Sequence, residues 1–238
     1  KATVNNFKHS PGENMKLLLT LFLITVYFDT YASGQFEVKS HEDVQEFIQG
    51  KLQTYTTQDI LVVFDIDNTV LATDTNFGSD QWFQWQTEEL GKQSSFSLAN
   101  DFAELLEIQN EIFSIGKMHL TEQSIPQMIQ FLQQSGVSVI ALTSRGPEMR
   151  NNTNKELLRN GVSFQSTSLG FSIGSVFRPK NESRLASYQD GIFMTSGMHK
   201  GEMLKYLLEI FNSNFKSIIF IDDHSKHTKR VYETFEPT

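Results

Sequence analysis

The amino-acid sequence predicts an α/β fold built on a doubly wound parallel sheet. Three short apolar runs, at 60–66, 137–142 and 217–221, alternate along the chain with segments of helical periodicity. Runs that are apolar throughout are typical of parallel strands whose two faces are both covered by helices. Polar residues follow each run, and ligands of such folds bind outside the carboxyl ends of the strands. We therefore expect a functional site at that edge of the sheet.

A secretory signal peptide is predicted at 15–34. A short basic start precedes an apolar run at 17–28, and the small residues Ala32 and Gly34 fit a cut before Gln35. The alternative is an uncleaved membrane anchor, although a confident membrane span needs about 20 apolar residues. The protein is accordingly expected to be secreted or periplasmic, with the membrane contacted only through an uncleaved signal segment.

The composition is that of a globular domain, expected at 35–238, with 1–14 as an upstream or disordered segment. The 238 residues are 39% hydrophobic and 20% charged, and the net charge of -8 disfavours a nucleic-acid partner. Cysteine is absent, which excludes a thiolate metal site and a cysteine nucleophile.

The first half of the domain is predicted to be largely helical around one strand. Residues 35–55 form an amphipathic pattern, so a helix is expected there. The strand at 60–66 follows. Residues 69–124 are mostly helical and rich in aromatic side chains, which include Trp82, Phe83 and Trp85.

The second half alternates more regularly between strands and helices. Helices are predicted at 125–134, 149–159, 200–211 and 225–235. The pattern breaks at 164–193, where Asp190-Gly191 between apolar residues is typical of a hairpin turn.

Acids and hydroxyls end the three predicted strands. Asp65 and Asp67 end the first, Thr143 and Ser144 follow the second, and Asp222 and Asp223 end the third. Carboxylates crowded at one edge repel each other unless a cation lies between them. Oxygen ligands of this kind suit Mg²⁺ better than a transition metal.

These residue types also suit phosphoryl transfer. A carboxylate such as Asp65 can attack phosphorus, and Asp67, two residues on, can protonate the leaving oxygen. Thr143 can donate hydrogen bonds to phosphate oxygens. A lysine is needed to neutralise phosphate and nucleophile together, and Lys200 in "HKGE" is the candidate.

Four motifs, "DIDNTV", "LTS", "HKGE" and "FIDD", occur in the order found in the haloacid dehalogenase (HAD) superfamily. The chain resembles that superfamily from 60 to about 231, and in particular its secreted bacterial acid phosphatases or a little-characterised secreted bacterial family within it. The resemblance implies a Rossmann-like sheet with a helical cap inserted at about 71–124. It also implies a further helix and strand after the fourth motif, so the domain is expected to be truncated at its C-terminus.

The resemblance implies a role for each motif residue. Asp65 would be the nucleophile and Asp67 the general acid and base, with Thr143 and Lys200 completing the catalytic set. Substrate binding is assigned to Thr143, Ser144, Arg145 and Lys200. The Mg²⁺ ligands would be Asp65, Asp67 through its backbone carbonyl, Asp222 and Asp223.

Three features have two interpretations each. Arg145 either clamps phosphate or forms a surface ion pair. The aromatic cluster at 82–85 either stacks on a substrate or, as favoured here, packs the inserted unit. His224 and His227 lie beside the last acids, but without a third nitrogen ligand we expect them to be solvent-exposed.

The expected function is that of a secreted Mg²⁺-dependent phosphatase, which hydrolyses small phosphomonoesters through an aspartyl-phosphate intermediate. The alternatives are a phosphotransferase that passes phosphate to alcohols and a secreted binding protein that has lost catalysis. The expected partner is a small phosphorylated substrate, and a homo-oligomer is compatible with the resemblance.

Overall fold

The computed structural model describes residues 22–28, 34–170 and 176–236. The elements in chain order are β1 (Phe22–Phe28), β2 (Gly34–Val38), α1 (His41–Leu52), β3 (Ile60–Phe64), β4 (Leu71–Thr73), α2 (Asp80–Gly91), α3 (Phe102–Ile115), β5 (Met118–Leu120), α4 (Ile125–Gln134), β6 (Ser138–Thr143), α5 (Arg150–Arg159), β7 (Val176–Phe177), β8 (Ala186–Gln189), β9 (Ile192–Met194), α6 (Lys200–Ile210), β10 (Ser217–Asp222) and α7 (Ser225–Phe235).

The main sheet has a parallel centre and antiparallel edges. Its strand order is β2-β1-β10-β3-β6-β9-β8-β7. The pairs β10–β3, β3–β6 and β6–β9 are parallel, whereas the pairs that add β1, β2, β8 and β7 are antiparallel. The α/β prediction is confirmed, but the sheet is mixed rather than wholly parallel. At one edge the reason is local, because a two-residue turn joins β8 to β9 as an antiparallel hairpin. At the other edge β1 pairs with β10, which comes from the opposite end of the chain.

Both faces of the parallel centre are covered, as the apolar runs indicate. In β3, Val62 contributes to one core with α1, α4 and α5, whereas Val63 contributes to the other with α6 and α7. Alternate side chains of a strand point to opposite faces, so a strand buried on both sides must be apolar throughout. All five residues of β3 are fully buried.

The predicted hairpin at Asp190-Gly191 is confirmed. These residues have φ values of 53° and 76° and join the antiparallel strands β8 and β9. Two positive φ values are what a two-residue turn of the favoured hand requires, and glycine meets that requirement without strain.

Residues between β3 and α4 form an inserted unit. β4 and β5 pair antiparallel, with Leu71 opposite Leu120, and α2 and α3 lie between them. The sequence predicted that 69–124 is mostly helical; the structure has two helices there, α2 and α3, with turns and short strands around them. The short strands that close the unit were not predicted, because three residues are too few for a recognisable alternation.

The N-terminal prediction needs one correction. Residues 35–55 are not one helix: β2 occupies Gly34–Val38, and α1 begins at His41 after a capping box formed by Ser40 and Asp43.

Part of the predicted signal peptide at 15–34 is a strand in the structure. β1 pairs antiparallel with β10 and with β2. Residues 15–21 and 29–33 lie outside the described residues. One molecule cannot both lose this segment and keep the pairing, so cleavage stays a prediction.

Within the described ranges, no helix combines the length and apolar character required to cross a bilayer.

The close approach of α6 and α7 depends on Gly201. A Cβ atom added there would collide with the carbonyl oxygen of Arg230 and Oγ1 of Thr234. We expect Gly201→Ala to lower the free energy of unfolding by about 1–3 kcal/mol, the usual cost of overpacking. Urea denaturation measures it.

Gly50→Ala is the matched control, since a Cβ at this α1 position meets nothing within 4 Å. Alanine is the better helix former, so stability should rise by up to about 1 kcal/mol. Equal urea midpoints for the two variants would contradict the proposed packing constraint.

Candidate functional site

The ends of three neighbouring strands meet at one edge of the sheet. β3 lies between β10 and β6 and is parallel to both. Asp65 follows β3, Asp222 ends β10 and Thr143 ends β6. The structure therefore brings together the acids that the sequence predicted to converge.

Lys200 links two of these acids. Its Nζ donates to Asp65 Oδ1 and to Asp222 Oδ2, at 2.6 Å each. Lys200 is 1% exposed and is the first residue of α6. Burial alone would lower the pKa of Lys200, but the carboxylates of Asp222 and Asp65 outweigh it and raise that pKa. A buried ammonium therefore stays charged between two acids.

The two acids differ in how their charge is compensated. Asp222 also accepts hydrogen bonds from the backbone N–H of His224 at 2.8 Å and from Nδ1 of His227 at 3.1 Å. Although burial opposes it, Lys200 and His227 lower the pKa of Asp222. Burial raises the pKa of Asp65 well above its usual range, against the pull of Lys200. Within the part of the chain that the structure describes, Asp65 Oδ2 accepts only a long contact, 3.5 Å, from Thr69 Oγ1.

Asp67 forms a two-pronged ion pair with Arg145. Arg145 Nε donates to Asp67 Oδ2 at 2.9 Å, and Nη2 donates to Oδ1 at 2.6 Å. Nη1 donates to Thr153, and the guanidinium carbon lies 4.5 Å from the ring centre of Phe113. An ion pair is therefore formed, as one interpretation of the sequence had it, but it is not a surface pair: the side chain of Arg145 is 4% exposed and that of Asp67 19%. Binding of phosphate by Arg145 stays a prediction.

Asp223 carries an oxygen that lacks a partner. Its Oδ1 is buried and accepts no hydrogen bond from the described residues. Such an orphaned acceptor is costly unless an ion or water satisfies it. Burial and the neighbouring Asp222 raise the pKa of Asp223 to about 7.

Three carboxylates lie close enough together to hold one metal ion. One oxygen each from Asp65, Asp222 and Asp223 lies within 4.8 Å of the others. The side chain of Asp67 is not in this group, since Arg145 holds it. The predicted contact of Asp67 with Mg²⁺ is through the backbone carbonyl and stays untested.

The two hydroxyl residues after β6 are placed differently. Thr143 is fully buried, and its Oγ1 accepts from the backbone N–H of Arg145 at 3.1 Å. Ser144 is exposed and lines the pocket beside Asp65. Of the two predicted substrate contacts, Ser144 thus faces the open space.

A pocket of about 230 Å³ opens over these strand ends. Its lining consists of Asp65, Asp67, Asp80, Phe83, Gln84, Ser144, Lys200, Asp223, His224 and His227. A larger surface depression of about 410 Å³ lies beside α7, but none of the predicted site residues lines it. The smaller pocket is therefore the candidate site, because the acids and Lys200 line it.

Asp80 is the main site residue that sequence reasoning missed. It begins α2 in the inserted unit, and its Oδ2 accepts from Nδ2 of Asn68 at 2.8 Å. Asn68 has a φ of 56°, a conformation that asparagine tolerates, so the loop after β3 turns towards the insertion. Burial and the nearby Asp67 raise the pKa of Asp80 to about 7. The only sequence signal was the Ser79 cap that starts α2.

Other expectations are partly corrected. His224 is exposed as predicted, but His227 is part-buried because it bonds to Asp222. The aromatic cluster does not simply pack the insertion: Phe83 lines the pocket, whereas Trp85 is 44% exposed.

Breaking the Arg145–Asp67 pair should destabilise the protein strongly. Arg145→Met leaves Asp67 without its partner, and losing one member of a buried pair costs about 3–5 kcal/mol. Lys155→Met is the control, because Lys155 is half-exposed and lies 3.8 Å from Glu156, a pair expected to contribute less than about 1 kcal/mol. Similar urea midpoints for both variants would show that the buried pair is not stabilising.

Comparison with known proteins adds the family. The chain is 24% identical over 205 residues to a protein of Chlamydia pneumoniae named "Putative outer membrane protein", and the match covers 84% of this chain and 72% of the relative. A protein of Chlamydia trachomatis with the same name is 23% identical over 224 residues, covering 92% of this chain and 79% of the relative. Residues 37–238, which include every residue of the site, match the family described as "Protein of unknown function (DUF2608)", and the chain belongs to that family.

Proposed function

We propose that the protein is a Mg²⁺-dependent phosphohydrolase of the haloacid dehalogenase type, which acts on small phosphomonoesters through an aspartyl-phosphate on Asp65. One observation carries the proposal. Asp65 Oδ1 lies 2.6 Å from the buried Nζ of Lys200, which also holds Asp222, at the carboxyl ends of parallel strands. A fold does not need a buried acid–lysine–acid chain opening into a pocket, whereas phosphoryl transfer does.

The residues at the site fit a divalent cation. Carboxyl groups outnumber cationic side chains there, and Asp223 Oδ1 has no hydrogen-bond donor among the described residues. Asp65, Asp222 and Asp223 are the residues that would hold the ion. When bound, Mg²⁺ would neutralise part of the negative charge of the phosphate.

Asp65 is suited to the attacking role. Lys200 fixes Oδ1, and among the described residues Oδ2 accepts only the long 3.5 Å contact from Thr69, so Oδ2 is the oxygen that would attack. A bond forms between Oδ2 and phosphorus as the ester P–O bond breaks, and the leaving oxygen takes a proton from an acid in the pocket. Water then attacks phosphorus, the bond to Asp65 breaks, and inorganic phosphate leaves.

The remaining pocket residues fit a small substrate. Lys200 faces the phosphoryl oxygens with a fixed positive charge, and Ser144 offers a hydroxyl on the exposed side. α2 contributes Phe83 and Gln84 to the same pocket, which supports a role of the inserted unit as a cap. A volume of about 230 Å³ favours small esters over large ones.

A place in the cell envelope or outside the cell is part of the proposal. The relatives in Chlamydia carry an outer membrane name, and the sequence at 15–34 has signal-peptide features.

Asp65→Asn should abolish phosphate release while the fold remains. The amide cannot attack phosphorus, so turnover of a panel of phosphomonoesters should fall by at least about a thousandfold. Asp74→Asn is the control, because Asp74 is exposed and pairs only with His119 among the described residues. Activity retained by a clean Asp65→Asn preparation, or no release by the unmodified protein, would contradict the proposal.

Mg²⁺ should bind to Asp223 and stabilise the protein. After treatment with EDTA, added Mg²⁺ should raise the free energy of unfolding by about 1.4 kcal/mol at tenfold excess over Kd. Asp223→Asn should lose this response, and Asp74→Asn should keep it; thermal denaturation and calorimetric titration measure both. An undiminished response in Asp223→Asn would place the ion elsewhere.

A further inference from the structure

The inserted unit carries a disproportionate share of the exposed apolar side chains. Six of the twelve large apolar side chains that are exposed in the described ranges belong to it, although it is a small part of the sequence. Single exposed apolar residues are ordinary, whereas a group of them on one unit marks a binding surface. The six are Phe77, Trp85, Phe96, Leu98, Phe102 and Ile115.

Two of these side chains belong to a loop that a buried glutamine holds in place. Gln86 of α2 is fully buried; its Nε2 donates to the carbonyl of Phe96 at 3.2 Å, and its Oε1 accepts from the N–H of Leu98 at 2.8 Å. The backbone of the loop is thereby ordered, yet Phe96 is 68% exposed and Leu98 56% exposed. Folding gains little from apolar side chains that are left in water, so their fixed position points to a ligand.

The loop continues the wall of the candidate pocket. Phe83 lines the pocket and precedes Gln86 by three residues in α2, a spacing that puts the two Cβ atoms about 5–6 Å apart. The ring of Phe83 also meets the ring of Phe102 edge-on, with 6.1 Å between their centres, and Phe102 is half-exposed. An apolar rim, which we define as Phe83, Phe96, Leu98 and Phe102, therefore extends from the pocket over the surface of the insertion.

The charges around the apolar rim disfavour one class of substrate. The insertion at 71–120 carries eight acidic residues and two lysines, and Asp101 and Glu104 lie beside Phe102 in the sequence. Negative surroundings repel a second phosphate, a carboxylate or a nucleotide. An uncharged alkyl chain meets no such repulsion and gains from apolar contact.

The volume of the pocket requires a long substrate to extend beyond it. About 230 Å³ holds a phosphate and the first few carbons of its alcohol. A longer alkyl chain has to leave the pocket, and the apolar rim begins at the wall that Phe83 forms.

We propose that the substrate is a lipid-like phosphomonoester, in which one phosphate lies beside Lys200 and an alkyl or acyl chain lies on the apolar rim. This inference deepens the proposed function and rests on it. Hydrolysis still consumes one water, breaks the P–O bond of the ester and releases inorganic phosphate and the alcohol. The chain adds binding contacts and takes no part in the bond changes.

Primary alkyl phosphates of increasing length test the apolar rim, because their leaving alcohols are nearly equal in acidity and only the contacts change. A fully buried methylene would raise affinity about fourfold, and a chain on a half-exposed surface gains less. We therefore expect kcat/KM to rise at least about tenfold from ethyl phosphate to octyl phosphate. Both are used below the concentration at which micelles form.

Variants locate the effect on the insertion. Phe96→Ser combined with Leu98→Ser should reduce the octyl-to-ethyl ratio of kcat/KM to below about threefold, since it removes the apolar contacts of the loop. Ile115→Ser is the matched control, because Ile115 is 82% exposed but ends α3, about 20 Å along the helix from Phe102. This control should keep the full ratio.

Binding without turnover separates this inference from the proposed function. Octylphosphonate and ethylphosphonate have no ester bond to hydrolyse, and calorimetric titration in the presence of Mg²⁺ measures their affinity. Octylphosphonate should bind at least about tenfold more tightly, and the double variant should lose most of the difference. Binding that depends on chain length, without phosphate release from any ester, would overturn the proposed function while the apolar rim keeps its ligand.

Two results would overturn the inference. The first is release of phosphate from ethyl and octyl phosphate with equal kcat/KM, which would leave the proposed function standing without the chain. The second is a dimer in analytical ultracentrifugation that the double variant converts to monomers while the octyl-to-ethyl ratio stays the same. The apolar rim would then be an interface between two copies of the chain.

Discussion

The buried ammonium of Lys200 is the constraint on which the rest of the site depends. It lies at the first residue of α6, where the helix dipole opposes a positive charge, and it is almost completely removed from water. The two carboxylates at 2.6 Å offset these costs. Because Asp65 follows β3 and Asp222 ends β10, the pair of salt bridges fixes α6 against two strand ends. The positions of the site residues therefore depend on the register with which β3 pairs with β10.

What could be predicted from the sequence is what depends on local pattern. The strand at Ile60–Phe64 is apolar on both faces, so its burial and its parallel neighbours follow from composition, and Asp65 then has to lie at the carboxyl edge. The turn at Asp190-Gly191 is equally local. Lys200 could be predicted because the acids and a bound phosphate need a positive charge beside them, and the lysine of "HKGE" precedes a predicted helix.

What could not be predicted depends on contacts between distant parts of the chain. Asp67 and Arg145 are 78 residues apart, and nothing near either residue indicates that they pair. Asp80 enters the pocket only because the insertion folds back and Asn68 turns towards it. The strand β1 was not predicted, because an apolar run near the N-terminus can have the same composition in a signal peptide as in a strand.

The two halves of the site differ in how they are held, and this difference bears on mechanism. The nucleophile, the lysine and the group that would hold a cation belong to strand ends and α6, which two hydrophobic cores fix from both sides. Asp80 belongs to the insertion, which contacts the loop after β3 through the hydrogen bond from Asn68 to Asp80 and through Thr121, whose Oγ1 donates to the carbonyl of Thr69. The acids and the lysine are therefore fixed by the sheet and α6, whereas the insertion bounds the space beside them through Asp80, Phe83 and Gln84.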